Sequence, residues 1–225
     1  MANFNTHLTV GSVASALISS LIIANELISP VNGIGLWVAG TMGSLLPDID
    51  ADNSSSLKVI FNSLSLLFSV VLLVLLGPDY PLWQIWLVIL AVTLLMRWPI
   101  LPLFKRTTIH RGSWHSLICC VCCSLALVNI CFHFIGLPAF LSWLYGLFLS
   151  AGFIVHLLLD EIYSIDISNA KIKRSFGTAL KLYYCRAQGW TLLMLLSATA
   201  LWLAAPAAPK IRLLLAPFLQ LVNKF

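Results

Sequence analysis

Residues 140–160 read FLSWLYGLFLSAGFIVHLLLD. No charge interrupts the run before Asp160, and the other strongly polar ring, His156, lies one helical turn ahead of it. About 20 apolar residues in succession is the length at which an α-helix crosses the hydrocarbon core of a bilayer. The stretch therefore predicts a membrane helix over 140–159 with His156 and Asp160 in its last turns. Side chains four apart share a helix face, so both can grip one metal ion or a metal pair. The plainer alternative is a hydrogen-bonded pair at a helix end.

The rest of the chain has the same character. Of 225 residues, 60% are hydrophobic and 9% charged, against about a quarter charged in soluble domains. Closed β-barrels also span bilayers, but their strands alternate every second residue and these runs are continuous. The class is an all-α, polytopic transmembrane bundle of about seven membrane helices, at 8–28, 33–46, 59–76, 82–98, 114–134, 140–159 and 190–204. The second is short and carries Gly33, Gly35, Gly40 and Gly43, which suits a tilted helix or close packing through small residues. Residues 1–205 are expected to form one membrane domain, and 206–225, broken by Pro217, a tail in the interface. The start, without a basic residue or a small-residue cleavage site, predicts a retained first helix rather than a signal peptide. Five of the six cysteines, Cys119, Cys120, Cys122, Cys123 and Cys131, fall in one apolar stretch. Such cysteines act as small helix-packing residues rather than as a disulfide framework.

Counting crossings assigns each polar cluster to a side. His7 precedes the first helix, and Asp48, Asp50 and Asp52 follow the second. His110, Arg111 and His115 precede the fifth, and His156, Asp160 and Glu161 end the sixth. All four clusters then share one side, and His133, Glu26 and Asp79 fall on the other. Lys58, Arg97, Lys105, Arg106, Arg111, Lys171, Lys173, Arg174, Lys181 and Arg186 lie on the side of the clusters, with only Lys210, Arg212 and Lys224 opposite. Cytoplasmic loops carry the Lys/Arg excess, so the clusters are expected at the cytoplasmic face. A basic rim suits anionic lipid headgroups, which accounts for the net charge of +5 without nucleic acid.

Three carboxylates within Asp48–Asp52 repel one another unless a cation sits among them; a solvated turn is the alternative. His110 and His115, five apart around Gly112, suit a loop ligand followed by a first-turn ligand. Arg111 can fork onto a phosphate or carboxylate, and the open N–H groups beginning the next helix favour an anion. Alternatively this is a polar interfacial loop anchored by Trp114. Imidazole and carboxylate ligands without engaged cysteine suit Zn²⁺, with Mn²⁺ or Fe also fitting. The ligands outnumber the needs of one tetrahedral ion, so more than one ion is expected.

The order His7, then Leu46-Pro47-Asp48-Ile49-Asp50, then His110-Arg111-Gly112-x-x-His115-Ser116, then His156-x-x-x-Asp160 resembles the YdjM-like family of membrane-bound metal-dependent hydrolases, over roughly residues 5–165. It is also remotely similar to the zinc-dependent phospholipase C and P1 nuclease group, helical enzymes with a multi-zinc His/Asp site. The resemblance implies His7, Asp48, His110, His156 and Asp160 as metal ligands, joined by Asp50 and His115. Beyond Asp160 the chain departs from that pattern. Arg174, Ser175, Gly177 and Thr178 either form an anion-binding loop or an ordinary basic loop.

Three functions are compatible with these residues. The first is a hydrolase in which metal-activated water attacks a phosphoester or related ester, with membrane lipid as a candidate substrate. In it Asp50, Asp52 or Glu161 serves as base and Arg111 steadies the substrate. The second is a metal-ion or proton transporter, although such sites sit near mid-membrane and the middles of these spans hold almost no ionisable residue. The third is a non-catalytic membrane protein with a structural metal.

Overall fold

The computed structural model describes residues 2–50, 79–102, 112–166, 180–184 and 187–210 continuously, with 57, 59, 61–63, 65–66, 69, 72–73, 77, 171–172 and 177 in addition. The chain divides into two compact units: residues 1–47 with 113–225, and residues 48–112.

In the first unit, α1 spans Phe4–Ala24 and starts where the Asn3 side chain accepts the Thr6 N–H at 2.8 Å. Helix α2, Pro30–Gly43, starts with Ser29 as cap and Pro30 at its first position. There proline's fixed φ suits the helix and its missing N–H costs nothing. Helix α2 begins and ends three residues earlier than expected, and a one-turn 3₁₀ helix, Leu46–Asp50, follows it. Helix α4, Leu117–Asn129, is capped by Ser116 and runs on through a π-helical turn, Ile130–Phe134. Helix α5 spans Ala139–Ile162 and α6 spans Gln188–Ala204. Between them Ile165–Asp166 (β1) and Lys171–Ile172 (β2) pair antiparallel.

In the second unit the described residues between 57 and 73 are helical, and α3, Leu82–Leu95, continues into a π-helical turn, Met96–Ile100, that contains Pro99. Much of the expected span 59–76 lies outside the described residues, as do 211–225 of the tail. Among the described residues four helical stretches are long and apolar enough to cross a bilayer: Phe4–Ala24, Leu82–Ile100, Leu117–Phe134 and Ala139–Ile162. Gln188–Ala204 is apolar but shorter.

Helix α5 is the hub of the first unit, lying against α1, α2 and α4, with α6 on the far side of α4. One apolar cluster joins Ile22, Leu36, Ala39, Leu141, Leu144 and Phe148; a second joins Cys119, Cys120, Phe153 and Leu157. In a bilayer lipid tails are as apolar as leucine, so helices associate through close packing and interhelical hydrogen bonds. Both are present. A Cβ on Gly43 would collide with the Leu149 carbonyl, and one on Gly152 with the Gly40 carbonyl, so the small residues of α2 serve close packing. Ser124 and Ser150 hydroxyls meet at 2.5 Å between α4 and α5. The Trp37 indole donates to the Ser12 carbonyl at 3.1 Å between α1 and α2, and the Asn129 amide donates to the Leu201 carbonyl at 2.9 Å between α4 and α6.

Candidate metal centre

One end of this bundle gathers four polar side chains. His7 sits in the first turn of α1, His115 immediately before α4, and His156 and Asp160 in the last turns of α5. All four are fully buried. The His7 and His156 rings stack with centroids 3.6 Å apart and planes 13° apart, and the His115 ring stands edge-on to His156 at 5.6 Å.

Asp160 is the common partner. Its Oδ1 lies 3.3 Å from His7 Nε2, and its Oδ2 lies 3.9 Å from His156 Nε2 and 4.0 Å from His115 Nε2. The Ala2 backbone N–H donates to Asp160 Oδ1 at 3.1 Å. His156 Nδ1 is 2.7 Å from the Ser44 carbonyl oxygen. A carbonyl can only accept, so Nδ1 carries the proton and Nε2 presents its lone pair toward Asp160. Metal-binding histidines are oriented in this way, by a hydrogen bond from the other ring nitrogen.

The donor set fits a cation. His7, His156 and Asp160 each offer a ligand atom within 4.8 Å of the others. Both ring nitrogens of His7 are buried and form no hydrogen bond among the described residues. Leaving such a group unsatisfied costs about 1–3 kcal/mol, and coordination would remove that cost. Imidazole and carboxylate are the ligand types that Zn²⁺, Mn²⁺ and Fe accept.

The four side chains come from distant parts of the sequence, and the chain as a whole matches a known family over residues 1–220, that of the YdjM inner membrane protein. The chain belongs to the YdjM inner membrane protein family. No curated protein and no solved structure matches it. Membership makes this chain an inner membrane protein, in agreement with the four long apolar helices among the described residues.

Of the expected ligands, the structure brings His7, His115, His156 and Asp160 together. Asp48, half-buried, is the first residue of the second unit, on the 3₁₀ turn after Pro47, and Asp50 closes that turn. His110, Arg111 and Asp52 lie outside the described residues. His133 is remote, as expected: it closes the π-helical turn at the opposite end of α4, 2.8 Å from the Ala204 carbonyl.

Two expectations need correction or refinement. The start of α4 is not an open anion site, because Leu117 N–H donates to the Lys181 carbonyl at 3.0 Å, Ile118 N–H to Leu182 at 3.2 Å, and Cys119 N–H to the Ser116 hydroxyl at 3.3 Å. The returning segment takes up the donors that an anion would use. Glu161, a candidate base, accepts the Gly177 N–H, which ties the end of α5 to the following loop. Gly177 has φ +76°, a left-handed conformation that glycine adopts without penalty. Arg174, Ser175 and Thr178 lie outside the described residues.

Sequence reasoning missed the Ser44 carbonyl and the Ala2 N–H. Both are backbone groups, and any residue carries them, so composition gives no signal. Trp114, an interfacial anchor in the alternative reading of its loop, packs half-buried against the Phe153–Leu157 cluster.

Proposed function

We propose that this protein is a membrane-bound, metal-dependent hydrolase of a phosphoester or related ester at the cytoplasmic face of the inner membrane. The observation that carries the reading is the buried His7–His156–Asp160 group, with its ligand atoms within 4.8 Å of one another and His7 lacking any other hydrogen-bond partner among the described residues. A divalent ion held there, most simply Zn²⁺, would supply Lewis-acid activation of water and neutralise the charge of an ester under attack. His115 is the fourth ligand on hand.

Asp48 is proposed as a further ligand. The Leu-Pro-Asp-Ile-Asp order of residues 46–50, part of the family resemblance, is the ground for it. His110 and Asp50 complete the set for a second ion, Arg111 steadies the anionic ester, and Asp50, Asp52 or Glu161 accepts the proton from water. The remote resemblance of the motif order to the zinc-dependent phospholipase C and P1 nuclease group is the ground for choosing this chemistry. Seven crossings, with the basic loops inside, orient the site toward the cytoplasm.

Transport is the weaker reading. His7 lies ~4.5 Å from the start of α1 and Asp160 ~3 Å from the end of α5 at 1.5 Å per residue, whereas transporter sites sit near mid-bilayer.

The test is the metal content of detergent-purified protein by elemental mass spectrometry, beside a screen of phospholipids and lipid phosphates. One or more zinc or manganese ions per chain, lost together with ester turnover in His7→Ala/His156→Ala, is the expected result. Metal without turnover of any ester would leave a structural site, and no metal after re-addition would end the proposal.

A further inference from the structure

The stacked His7 and His156 rings are the end of two facing stripes. On α1, steps of about one turn lead from His7 to Gly11 and Ser15, and two further turns reach Ile22; on α5 one-turn steps lead backward from His156 to Gly152, Phe148 and Leu144. Residues about one turn apart share a helix face, so the stripes continue the metal centre along the bundle. Between them, beginning one turn from the two histidines, lies a groove of about 150 Å³ whose walls include Gly11, Ser15 and Ile22 of α1 and Gly152, Phe148 and Leu144 of α5. Gly11, Ala14, Ser15, Ala151 and Gly152 line the end nearer the histidines, and Ile22, Leu144 and Phe148 line the far end. It opens sideways past Ala151, which is exposed.

Both walls belong to helices long and apolar enough to cross the membrane. A groove lined this way stays dry and takes apolar guests, and inside a bilayer the available guest is hydrocarbon. The polar end requires the opposite chemistry: a group that tolerates imidazole, carboxylate and a cation. From Gly11 to Ile22 the groove follows α1 for ~16 Å at 1.5 Å per residue, the scale of an acyl chain.

We propose that this groove holds an acyl chain of a membrane lipid whose headgroup ester lies against His7, His156 and Asp160. The substrate class is therefore a lipid ester or phosphoester, drawn sideways from the leaflet rather than from water. The assignment of a reacting ester rests on the hydrolase reading; occupation of the groove by lipid does not.

The test uses the full chain in phosphatidylethanolamine vesicles doped with a phosphatidylglycerol that carries a diazirine at the end of one acyl chain. Crosslinks are mapped by peptide mass spectrometry, and bound metal is measured on the same samples. Crosslinks should concentrate on groove-lining residues of α1 and α5, about tenfold above the outward-facing Val13 and Leu17. Ala151→Phe and Ala14→Phe should each lower the groove signal about tenfold, the loss expected when a few methylenes forfeit their contacts, with metal content unchanged. Equal labelling of groove and outward faces in the wild-type protein would overturn the proposal without any variant. So would groove labelling that ignores both substitutions, or protein–protein adducts showing a second copy seated there. Groove labelling in protein that binds no metal would keep the lipid site and remove the hydrolase.

Discussion

Asp160 has a role that its position alone does not reveal. It faces three imidazoles and a backbone N–H, so it orients ligands even before any ion arrives. Its Oδ1 accepts the Ala2 N–H, and a hydrogen bond to a charged group contributes about 1.5–3 kcal/mol. Asp160→Ala is expected to lower stability by about 1.5–3 kcal/mol in metal-free protein, read from thermal unfolding in detergent with chelator present. A change within ~0.5 kcal/mol, the size of ordinary surface effects, would mean that the carboxylate orients nothing. His7→Gln keeps much of the ring's volume and should instead act on metal, with affinity falling at least about tenfold, as competition with a chromogenic chelator would show. His7, His115, His156 and Asp160 were all readable from residue type and from their place at span ends. Their actual partners, the Ser44 carbonyl and the Ala2 N–H, were not, because main-chain groups have no residue-specific signature.

At the scale of the elements, α2 is the piece that position and composition describe least fully. Its fourteen residues are short for a crossing, and its recurring glycines suited either a tilt or close packing without naming the neighbour. The structure supplies the reason: α2 approaches α5 so closely that the Gly40 carbonyl occupies the place of a Cβ on Gly152. Backbone cannot swing aside as a flexible side chain can. Gly152→Ala should therefore cost about 1–3 kcal/mol, the range for overpacking, and should also shift His156, one turn away on the same face. The sharper check is a pairing of readouts: lower unfolding temperature together with weaker metal binding. Gly189→Ala, where nothing stands within 4 Å of the added methyl group, is the control and should change neither. The α4 terminus was misread as open for a similar reason. The segment around Lys181 and Leu182 that covers it carries no pattern announcing a strand-like return.

Across the whole molecule, two measurements bear on the arrangement. A ligand that binds only the folded state stabilises it in proportion to the logarithm of its concentration, about 2.7 kcal/mol at a hundred times Kd. Zinc added to chelator-treated protein should raise the unfolding temperature, and the same addition to Asp160→Ala should not. Orientation is checked by cysteines introduced at Leu180 and Lys210. With seven crossings and the basic loops inside, a membrane-impermeant maleimide should reach Leu180→Cys only from the cytoplasm and Lys210→Cys only from the periplasm. Labelling of both from one side would break the crossing count and with it the cytoplasmic placement of the site. Membrane class and the separation of His133 from the other histidines were legible because hydropathy and span length fix them. The boundaries of α2 were not, since a glycine-rich apolar run looks alike in every register.

The tie between Ala2, His7 and Asp160 also sets a timetable. Ribosomes deliver roughly 5–20 residues each second, so the roughly 150 residues between His7 and Asp160 separate their appearance by about 10–30 s. During that interval α1 waits in the membrane with an imidazole and no carboxylate to meet it. An ion held by this group would be captured only after α5 has inserted, and a chain stalled before that helix could not assemble the centre.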